Sequence, residues 1–399
     1  MVRMAADETA SRLTRRLGLA GATAVGLGAM LGTGVFAAWT PALSFAGDQL
    51  LIALVIAGLV ASLNAWSSVR LAAAHPVSGG AYAYGRRWLG RGPGVTAGVA
   101  FVVGKSASAG AAALTIGAYL APEYQRWIAL AAVAVMLAVD LVGVKFSAAV
   151  TGVLSVVVIA ALIWLVWRVI LGINTTATNG ASLAGVNHGL RGLLEASAVL
   201  FVAFAGYARV TVLGEEVREP RRNIPRAVAV SLAVTLVLYV GVGFAVLLAS
   251  NAGIALGRAP LSDIAAACGP ALLASVVPIA AVIAAGTALM SLIAGMGRTL
   301  FAMADEGDAP RTLATVSRRA VPMRAELAAV VLVFVVVMMD GIAGALALSA
   351  GSIGVYYAVA HLSALRMDPE GRPPRWVPVV GLVGCLTLVV GALLAISAG

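Results

Sequence analysis

Apolar stretches long enough to cross a bilayer recur along this chain from one end to the other. A hydrocarbon core roughly 30 Å thick takes about 20 residues of helix. Such stretches fall at 17–43, 49–74, 93–120, 126–142, 147–171, 190–213, 226–249, 270–297, 325–339, 342–364 and 375–397. None alternates apolar and polar positions as the strands of a membrane barrel do. The pattern predicts an all-α integral membrane protein with about 11 transmembrane helices. The connections at 75–92, 172–189, 250–269 and 298–324 are too short to bury cores of their own. Function is therefore expected in the membrane part.

Composition agrees, and charge adds an orientation. The chain is 61% hydrophobic and 11% charged, where a soluble domain is about half apolar and a quarter charged. A net charge of +10 raises the question of a nucleic-acid partner, but the positions of the cations answer it. With the N-terminus in the cytoplasm, twenty-one Lys and Arg, including Arg70, Arg86, Arg87, Arg91, Lys145, Arg298 and Arg366, fall on the cytoplasmic side. Only Arg126, Arg168, Arg191 and Arg258 fall outside. That bias predicts a multi-pass inner-membrane protein with its N-terminus in and its C-terminus out. The lipid bilayer is the expected partner of the apolar surface, and no nucleic acid is expected. Residues 1–16 are polar and basic, without the apolar core of a cleavable signal. Cys268 and Cys385 stand apart with no ligand spacing, so neither a disulfide framework nor a metal site is expected.

Two spans carry breaks in helical character near mid-depth. The first reads Gly26-Leu27-Gly28-Ala29-Met30-Leu31-Gly32-Thr33-Gly34-Val35-Phe36. Glycines at this density either admit a neighbouring helix closely or let the helix unwind at 32–34. Unwinding would leave free amides at the positive start of its outer half, which suits an anion. The sixth span, Val199-Leu200-Phe201-Val202-Ala203-Phe204-Ala205-Gly206-Tyr207, again has a mid-depth glycine. If it opens at 203–206, free carbonyls there suit an ammonium group. Spans one and six open successive sets of five, and because five is odd the second set is inserted upside down. Matched interruptions in inverted repeats point to a midplane binding site. Amides facing carbonyls would hold a zwitterion, which makes an amino acid or related amine the expected substrate.

Several segments resemble the amino acid–polyamine–organocation superfamily. They are the Gly26–Phe36 stretch; Pro76-Val77-Ser78-Gly79-Gly80-Ala81-Tyr82-Ala83-Tyr84; and Phe201 to Tyr207, continuing to Glu215-Glu216-Val217-Arg218-Glu219-Pro220-Arg221-Arg222-Asn223-Ile224-Pro225-Arg226. The fourth runs Arg298-Thr299-Leu300-Phe301-Ala302-Met303-Ala304-Asp305-Glu306-Gly307-Asp308-Ala309-Pro310, followed by Val321-Pro322. They occur in order over roughly residues 18–325. The resemblance implies a five-plus-five inverted-repeat core, with repeats at 17–171 and 190–364, a cytoplasmic tail at 1–16 and an additional helix at 375–399. It implies a secondary active transporter working by alternating access, with substrate-binding residues that include Met30 and a carboxylate subsite at the amides around Gly32, Thr33 and Gly34. The amine subsite would lie at the backbone around Val202, Ala203 and Ala205, with Phe204 and Gly206 also expected to bind substrate. Val202 departs from the family, many members of which place a bulky aromatic gate there; Phe204 is a candidate replacement. Eleven spans, where members usually show twelve, is a second departure.

Charged residues inside the spans complete the expectations. Lys105 sits near the middle of the third span, where a charge costs at least about 2.5 kcal/mol. It is either a structural lysine satisfied by helix-end carbonyls or a proton-coupling group. Some proton-coupled members of the family carry a coupling lysine on the fifth helix, and Val158 stands at that position here. Thr287 and Ser291, four apart on the eighth span, offer oxygens for sodium, the rival coupling ion, though such hydroxyls often bond their own helix. Arg209 with Glu215 and Glu216 forms either a cytoplasmic gate pair or a static anchor. Glu195 either faces an outer vestibule or meets interfacial water. No nucleophile–base set or phosphate loop is present, and no enzyme activity or cofactor is expected. The expected function is uptake of a small neutral amino acid, with proton symport as the coupling. The alternatives are an amine, polyamine or amino acid exchanger, and a channel or sensor on the same fold.

Overall fold

The computed structural model describes residues 17–75, 79–142, 148–172, 189–211, 217–316, 322–339 and 341–398. Within them the first span is α1 (Leu19–Met30), a bend, then α2 (Gly34–Ala37) and α3 (Trp39–Ala46). The chain returns as α4 (Leu50–Ala74), runs through α5 (Ala81–Trp88), and crosses again as α6 (Arg91–Leu120), α7 (Gln125–Val142) and α8 (Ala148–Gly172). The second set opens with α9 (Gly189–Phe204), a 3₁₀ turn at Ala205–Tyr207 and α10 (Ala208–Thr211). It continues as α11 (Pro220–Asn251), α12 (Pro260–Cys268), α13 (Ala271–Asp305), α14 (Met323–Met339) and α15 (Ile342–Leu365). Helix α16 (Trp376–Ala398) follows both sets. Ten of these segments are long and apolar enough to cross a membrane; α14, at 17 residues, is the short eleventh. Both sets open on an interrupted helix, and each interruption lies against the other.

Side-chain size decides which helices sit inside. Helix α6 reads largely as Gly, Ala, Ser and Thr, and it is the hub: it packs on α7, α13, α14 and α15. Small side chains let backbones approach closely where lipid offers no hydrophobic drive between helices. Within this hub Ser108 and Ser349 share a hydrogen bond of 2.6 Å, and Ser106 donates to Met296 Sδ at 3.2 Å. The bulky residues point outward instead. Val153, Val156 and Trp167 of α8, and Val383 and Leu393 of α16, are each about 60% exposed, which is how a multi-pass membrane protein meets lipid tails.

Three features depart from the apolar pattern. Helix α13 continues to Asp305, two turns beyond the apolar stretch, because backbone hydrogen bonding carries a helix past the hydrocarbon boundary that hydropathy detects. Helices α5 and α12 lie in segments read as connections; they are too short to give a clear period. Glu195 is buried, 4% exposed, and accepts from Arg191 at 2.8 Å rather than meeting interfacial water. Helix α16 covers this part of α9, with Gly391 against Leu194 and Ala198.

Where α5, α6 and the end of α13 meet, the hub is tied by charge. Asp308 accepts hydrogen bonds from Tyr82 at 2.8 Å, from Arg91 at 2.7 Å and from Arg86, which also pairs with Glu306 at 3.0 Å. Burial alone would raise the Asp308 pKa, but the bonds from Tyr82, Arg91 and Arg86 outweigh it and hold the carboxyl below its ordinary value. Tyr356 Oη of α15 accepts from Ala81 N at 2.9 Å, so α5 is pinned to both α15 and the end of α13.

Candidate functional site

The interruption in the first span is a true break. Leu31 N closes the last turn of α1 on Leu27 O at 2.8 Å, and the next backbone bonds are those that Phe36 N and Ala37 N donate to Thr33 O. The amides from Gly32 to Val35 therefore have no backbone acceptor among the described residues. They form the orphan donors that any helix start presents, here deep in the structure. Thr33 Oγ1 sits among them, buried and without a hydrogen-bond partner among the described residues. At the sixth span the break is milder: the 3₁₀ turn at Ala205–Tyr207 tightens the chain between α9 and α10.

The two breaks touch through glycine. A Cβ on Gly34 would lie 2.3 Å from Ala203 Cα, and one on Gly206 would lie 2.2 Å from Ala29 O. Only hydrogen fits at either contact. The two readings of the glycine-rich stretch are thus not exclusive: it admits its neighbours closely and it unwinds. Gly32 likewise faces Ala288 of α13. Met30 ends α1 and Ala203 lies in the last turn of α9, so two C-terminal helix ends, each carrying partial negative charge, converge beside the amide-bearing start of α2. Tyr239 of α11, fully buried, reaches both ends: its Oη is 2.6 Å from Met30 O and 3.3 Å from Ala203 O. Nothing but a phenol in an apolar span hinted at this residue in the sequence.

The remaining candidates are placed as follows. Val202 is half-buried, whereas the Phe204 ring is fully buried, 5.2 Å from the Tyr239 ring and beside Gly58 of α4. Ala205 is buried. A narrow cleft of about 10 Å³, room for little more than one water-sized species, is lined by Gly28, Leu31, Thr151, Ser155, Val158 and Thr287, among others, where α1, α8 and α13 meet. Thr287 donates to Ala284 O at 2.9 Å and Ser155 to Thr151 O at 2.7 Å, so their lone pairs remain available. Ser291, half-buried one turn on, is not among the lining residues. Lys105 does not line the cleft either: its Nζ lies 5.8 Å from the centre of the Phe101 ring, and it makes no ion pair among the described residues. Arg209 is half-buried in α10, while Glu215 and Glu216 lie outside the described residues.

The comparisons with known proteins agree with this architecture. The family described as Amino acid permease matches residues 21–397. The chain is 44% identical over 380 residues to an uncharacterized transporter of Mycobacterium tuberculosis (strain ATCC 25618 / H37Rv), covering 94% of this chain and 86% of that one. It is 26% identical over 333 residues to the aromatic amino acid transport protein of Escherichia coli (strain K12), covering 80% and 73%. It is 28% identical over 338 residues to the methylthioribose transporter of Bacillus subtilis (strain 168), covering 78% and 72%. In three dimensions it is similar to a mutant manganese transporter of Eremococcus coleocola, with a TM-score of 0.59 at 15% identity over 95% of this chain and 87% of that one. That likeness shows the fold, an all-helical core of two inverted five-helix repeats. The chain is a transporter, and it belongs to the amino acid permease family.

Proposed function

We propose that this permease carries a small neutral amino acid, bound between the breaks of spans one and six and moved by alternating access. The observation that carries the reading is the set of acceptor-free amides from Gly32 to Val35 around the unpartnered Thr33 hydroxyl. A carboxylate satisfies such donors, and the carbonyl ends at Met30 and Ala203 suit the ammonium group of the same molecule. The aromatic amino acid transport protein among the relatives supports an amino acid; the methylthioribose transporter shows why the class needs testing. Arg209 with Glu215 and Glu216 would act on the cytoplasmic side, the N-terminus lying in the cytoplasm.

Coupling is assigned to protons through Lys105, an ammonium that lies by the Phe101 ring and makes no ion pair among the described residues. A second reading, sodium coupling, is favoured by the cleft, where Thr287, Ser155 and Thr151 sit beside Gly28 and Leu31 and can offer oxygens to a cation. Proteoliposomes given a panel of labelled amino acids, with a pH gradient or a sodium gradient in turn, test both. Accumulation driven by the pH gradient and lost in Lys105→Ala supports the first reading. Accumulation that follows sodium and falls in Thr287→Val supports the second. No accumulation of any amino acid overturns the substrate assignment.

A further inference from the structure

The substrate reading leaves Tyr239 unexplained. Its ring is fixed between Phe204 at 5.2 Å and, edge-on, Trp39 at 6.3 Å. Its hydroxyl has one proton and meets two carbonyls that come from helices of opposite repeats. The 2.6 Å contact shows the hydroxyl donating chiefly to Met30 O, and the 3.3 Å contact leaves Ala203 O the weaker share. Both carbonyls belong to C-terminal helix ends, whose partial negative charges repel each other at this separation. A donor between them converts that repulsion into a bridge.

We propose that Tyr239 is a positioning residue: its hydroxyl holds the ends of α1 and α9 at the spacing the substrate's amine requires, and it makes α11 move with them. The proposal rests on the reading that the substrate sits at the two breaks. Two further ties join the same elements at other depths. Ser231 of α11 donates to Thr23 O of α1 at 3.2 Å, and Arg218 N, just before α11, donates to Leu17 O at 2.8 Å. The first span is thus joined to α11 or its entry at three levels, and of these ties among the described residues Tyr239 is the one that reaches both breaks at once.

Tyr239→Phe keeps the ring and removes the bridge. Hydrogen–deuterium exchange of the full chain in lipid nanodiscs, without substrate, reads the effect. Peptides covering 27–36 and 200–208 should both exchange roughly tenfold faster, as expected for loss of one buried hydrogen bond. Peptides of α6 and α16 should not change. Unchanged exchange at the breaks, a rise at one break alone, or a rise along the whole chain overturns the proposal. If the variant does not accumulate, site-specific 3-fluorotyrosine at position 239 replaces it. That residue keeps the hydroxyl but donates more strongly, so exchange at both breaks should slow, and unchanged exchange overturns the proposal. In proteoliposomes Tyr239→Phe should raise the KM for the amino acid accumulated by the wild type about tenfold, with Vmax within about twofold. Because exchange is read without substrate, failure of wild-type uptake counts against the substrate reading and not against Tyr239.

Discussion

The contact between the two breaks can be tested with a single methyl group. In Gly34→Ala the new Cβ would stand 2.3 Å from Ala203 Cα and 2.4 Å from Ala203 Cβ, where ordinary contact begins at 3.4 Å. The obstacle is backbone and a short side chain, so no rotamer change relieves it. The start of α2 and the end of α9 must part by about 1 Å. Overpacking of this kind costs about 1–3 kcal/mol, against which alanine's better helix propensity returns at most about 1 kcal/mol. The functional loss should exceed the loss of stability. A displacement of about 1 Å between groups that must hold one ligand together weakens their joint action by up to about a hundredfold. The assay pairs thermal unfolding of the purified protein with uptake into proteoliposomes. Gly92→Ala is the control, since nothing lies within 4 Å of its added Cβ, and it should be neutral or slightly stabilising. Wild-type uptake in Gly34→Ala, with an unchanged unfolding midpoint, would refute the claim that the breaks meet through hydrogen alone.

Three further outcomes follow from the same physics. Thr33→Val removes a buried hydroxyl that has no partner; the resting protein should gain stability, by about 1 kcal/mol, while uptake falls, and a loss of both would make the hydroxyl structural. Asp308→Asn should lower stability by about 1–3 kcal/mol, since the hydrogen bonds from Tyr82 and Arg86 lose their charged acceptor. The Asp308 pKa is depressed in the folded state, so its contribution is complete above its unfolded value near 4 and is lost as pH falls through the lower folded value. Wild type and Asp308→Asn should therefore converge in unfolding midpoint only at the acid end, and convergence at neutral pH would show that the cluster contributes nothing. Gly381→Ala would put a Cβ 2.1 Å from His361 Cε1 and push the ring from Asn64 Oδ1, now 2.7 Å from Nε2. The unfolding midpoint should drop, and Asn64→Ala should add little further because both act on the same bond.

The sequence alone determined the number and order of spans and the class of the fold. Burial of a backbone in lipid forces unbroken apolar helices, and that demand is written residue by residue. It also marked Gly32–Gly34 and Gly206 as places where a helix weakens, because glycine's poor propensity is local. What lies across from each weak point was not legible. That Gly34 faces Ala203, that Gly206 faces Ala29 and that Tyr239 reaches both helix ends depend on contacts between residues up to about two hundred positions apart. Lys105 and the cleft show the same divide. The lysine's cost in the membrane is evident from its position in the chain, but its place beside Phe101 rather than among α1, α8 and α13 follows from helix rotation. An apolar stretch buried on nearly all sides has no period to record that rotation, and side-chain packing between helices sets it.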